Sequence, residues 1–204
     1  MIPVTLQPEP EDFAQSIEEP GLKFLREVPH PTADQWNGKE YWQQALPGMR
    51  KAYQRICAYC AHWIPHSTGN HSIDHFIPKS QNPELAYTWS NFRYVAARFN
   101  SRKGMRSILD PFQLLHDWFV LDFASFFIRS HPVLLPEQKA AVNHTIQVLR
   151  LNSDDALVFE RQSWVIEYQQ GHISYEHLQR HAPFIAYELE RQGLLSHVEA
   201  GCPK

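Results

Sequence analysis

The chain has 204 residues, 43% apolar, 13% aromatic and 20% charged, with a net charge of −3; that is enough apolar material for a real core and too little charge for a disordered chain. The opening residues, MIPVTLQPEPEDF, carry acids where a signal peptide needs basic residues followed by an apolar run, and the most apolar region, Trp118 to Leu135, is broken by Asp122, Arg129 and His131. Three cysteines, two of them in Cys57-Ala-Tyr-Cys60, are too few for a disulfide framework, so a cytoplasmic protein without a membrane span is expected.

In chain order, residues 1–38 are rich in proline and acids around one short apolar segment, Gly21 to Leu25, and predict an extended arm on the surface. Lys39 to Ile56 places Tyr41, Trp42, Ala45, Leu46, Met49, Ala52, Tyr53 and Ile56 at spacings of three and four, which predicts an amphipathic helix bent at Pro47-Gly48. Tyr59–Ile64 and Ser72–Phe76 flank the turn cluster His66-Ser-Thr-Gly-Asn70 and read as a hairpin. Phe92 to Lys103 reads as a helix ending at Gly104. After Asp110-Pro-Phe, Trp118–Phe123 and Phe126–Ile128 predict a second hairpin. Helices follow at Lys139–Leu151, Ala156–Gln170 with Ser153 or Asp154 as cap, Tyr175–Arg180 and Pro183–Leu195.

The charge is unevenly spread. Arg50 to Arg106 holds nine basic residues and two acids, a local charge of +7, whereas the remainder holds 10 basic against 20 acidic residues. A basic block of this kind suits phosphate binding, since each phosphate neutralised releases condensed counterions. The acidic second half, without a cluster of ligands, reads as support or partner contact that faces away from nucleic acid.

Inside the basic block, Asp74-His75 stands at the end of a predicted strand, before Pro78-Lys79. Trp89-Ser-Asn91 follows, and nine residues beyond Asn91 comes Asn100-Ser-Arg102-Lys103-Gly104. Cys57-Ala-Tyr-Cys60 ends fourteen residues before Asp74. A phosphodiester needs an activated water, an electrophile and stabilisation of the leaving oxygen; His75 suits the general base, and Asp74 and Asn100 offer hard oxygen donors. Singly, each has a bland rival: a core histidine, a turn cap, a helix C-terminal cap, a solvated lysine.

Taken in order, these residues resemble the HNH endonuclease superfamily over about Tyr53 to Gly104. Ile56–Cys60, Asp74–Ser80, Tyr87–Asn91, Asp110–Phe112 and Thr145–Asn152 further resemble a bacterial subfamily with relatives in anti-phage modules such as Septu and retron systems. The resemblance implies an α+β fold, a ββα-metal core embedded in a mostly helical protein with an extended N-terminal arm. It divides the chain into an arm and lead-in helix (1–50), the nuclease core (51–110) and a hairpin with helical support (111–204). It also implies DNA hydrolysis to 5′-phosphate and 3′-hydroxyl ends, with His75 as base, Asp74 and Asn100 holding one Mg²⁺ or Mn²⁺, and Asn91 bracing the loop that bears His75. Lys79, Arg93, Arg102 and Lys103 are then the candidates for flanking phosphates, with Arg98 beside them. A partner such as an ATPase would supply targeting; the alternative is a nucleic-acid-binding or assembly subunit with a vestigial site.

One departure concerns zinc. Where zinc-bearing relatives have a second C-x-x-C, this chain has Ala96-Ala-Arg-Phe99. A structural Zn²⁺ needs four ligands as a rule, so Cys57 and Cys60 would need His62, His66, His71 or Cys202. The expectation is a lost zinc site, with Phe99 filling the space.

Overall fold

The computed structural model describes residues 1–195; Cys202 lies outside them. Among the described residues, helices combine with two small antiparallel sheets, an α+β arrangement, and no helix is long and apolar enough to cross a membrane.

The N-terminal region departs from the surface arm expected of it. After an extended run to Pro10, a π-helical turn at Ala14–Glu18 leads into α1 (Glu19–Glu27). Phe13, Ile17, Phe24 and Leu25 are buried, and so is Trp36 in a 3-10 turn at Asp34–Trp36. Phe13, Ile17 and Phe24, four and seven residues apart, make one apolar face, and burial of that face outweighs the prolines and acids that colour the composition. Pro20 sits in the first turn of α1, where its missing N–H is no loss. Gly21 is required by close approach: a Cβ there would lie 2.2 Å from the ring of Tyr87.

The single bent helix expected over Lys39–Ile56 is a 3-10 turn, Tyr41–Ala45, followed by α2 (Leu46–Ala52) with Pro47 in its first turn. Proline cannot donate to a preceding turn, so the α-helix starts at this point instead of passing through it. Beyond α2 the backbone turns through two left-handed residues, Gln54 (φ 49°) and Arg55 (φ 63°).

The first hairpin forms with different partners. Tyr59–Ile64 is not a strand; a lone bridge joins Ile56 to Trp63. β1 (His71–His75) pairs antiparallel with β2 (Phe92–Ala96), His71 opposite Ala96 and His75 opposite Phe92. β2 is the first half of the segment expected to be helical. Its Phe-Arg-Tyr-Val stretch is aromatic and β-branched, and Phe92 to Val95 are buried, the environment in which such residues favour a strand. Only Ala97–Lys103 is helical (α3); it packs on β1 and ends at Gly104, φ 53°.

The later elements follow their patterns. β3 (Phe119–Asp122) and β4 (Phe127–Ser130) form the second hairpin. α4 (Pro136–Leu149), α5 (Asp155–Gln169), α6 (Tyr175–His181) and α7 (Pro183–Arg191) come next, with Asp154 and Ser174 accepting hydrogen bonds from Leu157 N and His177 N as caps. Two polar side chains, half-buried Asn152 and buried Glu188, tie this half together. The Asn152 carboxamide pairs with both backbone groups of Ile128, and the Glu188 carboxylate accepts from Leu121 N at 2.8 Å.

Candidate functional site

The C-terminal end of β1, the middle and C-terminal end of α3 and the loop after β1 line a cleft of about 360 Å³. It is lined by Asp74, His75, Pro78, Lys79, Ser80, Asn100 and Gly104, with Pro31, Ala33 and Trp36 of the N-terminal region closing one side. Successive β1 side chains point to opposite faces. Ser72 and Asp74 therefore meet α3, while His71 and His75 meet the layer that contains α2 and Trp42.

His75 is held on three sides. Its ring stands edge-on to Trp42 and Phe92, with centroids 4.7 and 5.3 Å away, and Nε2 lies 2.9 Å from the carbonyl oxygen of Ala86. A carbonyl only accepts, so Nε2 carries the proton and Nδ1 keeps its lone pair. Burial above all, aided by Lys79 and Lys103, brings the His75 pKa down to about 4, so the imidazole is neutral near pH 7.

Asn91 ties the following loop. Its Oδ1 accepts from Ile77 N at 2.8 Å, and its Nδ2 donates to Ile77 O and Leu85 O at 3.0 and 3.1 Å. Asn100 donates through Nδ2 to Ser72 Oγ (2.8 Å) and Ile73 O (3.1 Å). Both amide protons are thereby used on β1, which leaves Oδ1 as the free acceptor of a side chain lining the cleft.

Asp74 is enclosed. Tyr59 donates its hydroxyl to Oδ2, and Lys103 Nζ lies 3.2 Å from Oδ1 and 3.1 Å from Oδ2. Burial raises the Asp74 pKa, opposed by Lys103 and by the hydrogen bond from Tyr59. Lys103 is itself fully buried and also donates to His75 O at 3.0 Å. The sequence signals neither contact: Tyr59 is only a residue between two cysteines, and Lys103 looks like a solvated charge after a helix.

Four of the nine cations of the basic block are paired with carboxylates. Arg93 is buried and forms a bidentate pair with Asp110, at 2.8 and 2.7 Å, while stacking on Phe112. Arg102 donates to Asp154 at 2.6 Å and to Leu149 O at 3.2 Å, and Arg98 reaches Asp154 and Glu160. Arg93 and Lys103 are thus structural cations, enclosed with a carboxylate each, and not open phosphate contacts. The acidic second half does not face away either, since Asp154 and Glu160 lie against α3. Lys79 lies in the cleft and makes no ion pair among the described residues, although Glu40 acts on it electrostatically; its ammonium is 4.8 and 4.7 Å from the rings of Trp36 and Trp42.

Among the described residues, no group of three or more His, Cys, Asp and Glu side chains is placed to hold a metal. What the cleft offers is a carboxylate and a carboxamide oxygen, a donor set that suits a hard cation whose remaining positions go to water and phosphate. Cys57 and Cys60 are buried free thiols. Cys57 Sγ accepts from Ala96 N at 3.3 Å, so the cysteine turn abuts the Ala96–Phe99 stretch, which holds no cysteine. Burial raises the Cys57 thiol, but hydrogen bonds from Cys60 and from the Ala96, Cys60 and Tyr59 backbones outweigh it and bring the pKa to about 7; burial pushes Cys60 well up. Phe99 is fully buried.

A pH dependence of stability follows. His62 is buried, with Nδ1 3.0 Å from Cys60 O, Nε2 without a partner and a pKa brought down by burial to about 3. Between the ordinary histidine pKa near ~6.5 and these native values of about 3 and about 4, the unfolded chain binds more protons than the native one, so stability falls as pH falls. Each histidine contributes a slope of at most ~1.4 kcal/mol per pH unit. Asp74, raised by burial, acts in the opposite sense at the acid end. Urea midpoints are expected to decline from pH 6.5 towards pH 4; a flat profile would mean that both rings are solvated.

No family model matches the chain. Over 129 residues, 61% of its length, it is 28% identical to the Septu protein PtuB of Bacillus thuringiensis. The chain covers 46% of that relative, about half of its length.

Proposed function

We propose that the protein is a metal-dependent endonuclease that hydrolyses DNA phosphodiester bonds at the His75 cleft, within an anti-phage defence module. The observation that carries this reading is the packing of β1 on α3, which sets a neutral histidine with its Nδ1 lone pair beside the Asn100 carboxamide oxygen, the Asp74 carboxylate and Lys79 in one cleft. The order of the motif residues and the similarity to a Septu protein support it.

His75 Nδ1 takes the proton from the attacking water, and the Ala86 carbonyl fixes the tautomer that leaves this atom free. Asp74 and Asn100 Oδ1 would hold Mg²⁺ or Mn²⁺, which when bound acts as a Lewis acid towards the phosphate and the leaving oxygen. Lys79 reaches a neighbouring phosphate from the mouth of the cleft, and Arg102 lends positive potential from α3 while it remains paired with Asp154. Asn91 acts on the loop alone, keeping Ile77 and the backbone after His75 in place.

The engagement of both Asp74 oxygens by Tyr59 and Lys103 favours the second reading, a subunit that binds nucleic acid without cutting it, with catalysis or targeting left to a partner such as an ATPase. A labelled short duplex incubated with Mn²⁺ separates the two. Cleavage to fragments that a ligase rejoins, as 5′-phosphate and 3′-hydroxyl ends allow, supports the nuclease; retention of the intact duplex in a gel shift, with no cleavage, supports the binding subunit.

For zinc, the reading is a half-site that no longer closes. Elemental analysis of purified protein is expected to find well under one zinc per chain, with thermal stability unmoved by chelation. A closed site would behave otherwise, because its binding energy is folding energy; one tightly held zinc per chain would overturn this reading.

A further inference from the structure

Of the nine cations between Arg50 and Arg106, Arg93, Arg98, Arg102 and Lys103 are paired with carboxylates, whereas Arg50 and Arg55 make no ion pair among the described residues. Arg55 is nonetheless buried and Arg50 half-buried. Arg55 is 7% exposed, and its Nη1 and Nη2, together with Nε of Arg50, are buried without a hydrogen-bond partner. Buried cations without a counter-charge are costly, and buried N–H groups without acceptors add to that cost.

The two arginines belong to one cluster. Arg50, in the last turn of α2, reaches β1 and donates to His71 Nε2 at 2.8 Å. The guanidinium can only donate, so His71 is neutral, with its proton on Nδ1, 3.5 Å from the Tyr94 hydroxyl. Arg55 N donates to Arg50 O at 3.1 Å, and the left-handed backbone at Gln54 and Arg55 turns the second arginine back over the same region. Arg55 Nε donates to Ile64 O at 2.8 Å, and its guanidinium lies 5.4 Å from the ring of Trp63.

We propose that Arg50 and Arg55 form a second phosphate-binding site, separate from the catalytic cleft, that grips the backbone of the nucleic acid. Two guanidinium groups that both act on His71 and Tyr94, with three nitrogens that lack an acceptor among the described residues, match a phosphate, which accepts several charge-assisted hydrogen bonds at once. Its position indicates the source of the phosphate. His71 and His75 lie on the same face of β1, four residues apart and therefore about 13 Å apart at roughly 3.3 Å per residue, a span of a few nucleotides at about 3.4 Å of rise each. Contact with Arg55 requires the half-buried Trp63 indole to move aside. The choice of a nucleic-acid backbone rests on the nuclease reading; the phosphate chemistry does not.

The test uses the full chain, with chelator present so that no cleavage intervenes. In one arm, affinity for a labelled 20-base-pair duplex is measured across a salt series; in the other, the rise in melting temperature with inorganic phosphate is recorded. Arg50→Gln, Arg55→Met and the double variant are compared with Arg106→Gln, an exposed control. Loss of one phosphate contact is expected to flatten the slope of log K against log salt by roughly one unit and to weaken binding to all sequences alike, and the phosphate-dependent rise should disappear. If only the phosphate response disappears, the site stands and takes free phosphate. If the parent chain fails to bind DNA while the double variant loses the phosphate response, the nuclease reading fails and the site stands. A folded double variant with unchanged salt slope and unchanged phosphate response overturns the proposal, and Arg50→Gln alone decides should Arg55→Met fail to fold.

Discussion

His75→Ala is expected to lower the rate of DNA hydrolysis by about 10²–10⁴-fold, the usual cost of removing a general base, while affinity for DNA measured in chelator stays within a few-fold of the parent. The size of the effect follows from how little else in the cleft can accept a proton. Asp74 is committed to Tyr59 and Lys103, and Lys79 is a cation, so no neighbour can replace Nδ1. The fold should survive, because the ring contributes edge contacts with Trp42 and Phe92 and one hydrogen bond to Ala86 O, whereas Asn91 holds the loop independently. Single-turnover rates with saturating Mn²⁺ check it. A properly folded His75→Ala chain that cuts at the parental rate removes His75 from the chemistry.

Lys103→Met is expected to destabilise the protein by about 3–5 kcal/mol, the cost of breaking a buried ion pair and leaving one charge uncompensated. The Lys103 side chain is 0% exposed and that of Asp74 3%, so water cannot take over the lost contacts with the carboxylate and with His75 O. The double variant Asp74→Asn, Lys103→Met should recover part of the loss, since the carboxamide needs no counter-charge. Urea unfolding of the four chains gives the coupling directly. If Lys103 instead held a phosphate in solvent, Lys103→Met would cost under ~1 kcal/mol, as at a surface cation, and would weaken DNA binding.

These two residues mark where the sequence could and could not be read. The sequence singles out Asp74, His75, Asn91 and Asn100 by local order and spacing, and the structure brings Asp74, His75 and Asn100 to one cleft with Asn91 on the loop beside it. The partners that set their properties come from elsewhere in the chain, Tyr59 from the cysteine turn and Trp42 from the lead-in segment, and no local pattern encodes such pairings. Pro31 and Trp36 were read as part of a surface arm because proline and acid content hid a buried face of Phe13, Ile17 and Phe24. β2 was read as helix because Phe92 to Lys103 has no breaker; its burial, a tertiary property, decided in favour of a strand. The sequence shows the basic block, but charge along a sequence does not reveal which cations meet acids: Asp110 and Asp154 neutralise Arg93 and Arg102 from outside the block.

Metal-dependent cleavage at the His75 cleft is tested most directly by supercoiled plasmid incubated with the purified chain. With Mg²⁺ or Mn²⁺ the account predicts conversion to nicked or linear DNA, suppressed by EDTA and restored when the metal is returned in excess. Equal conversion in EDTA and in Mn²⁺, or supercoiled DNA left intact with either metal by a folded chain, would contradict it.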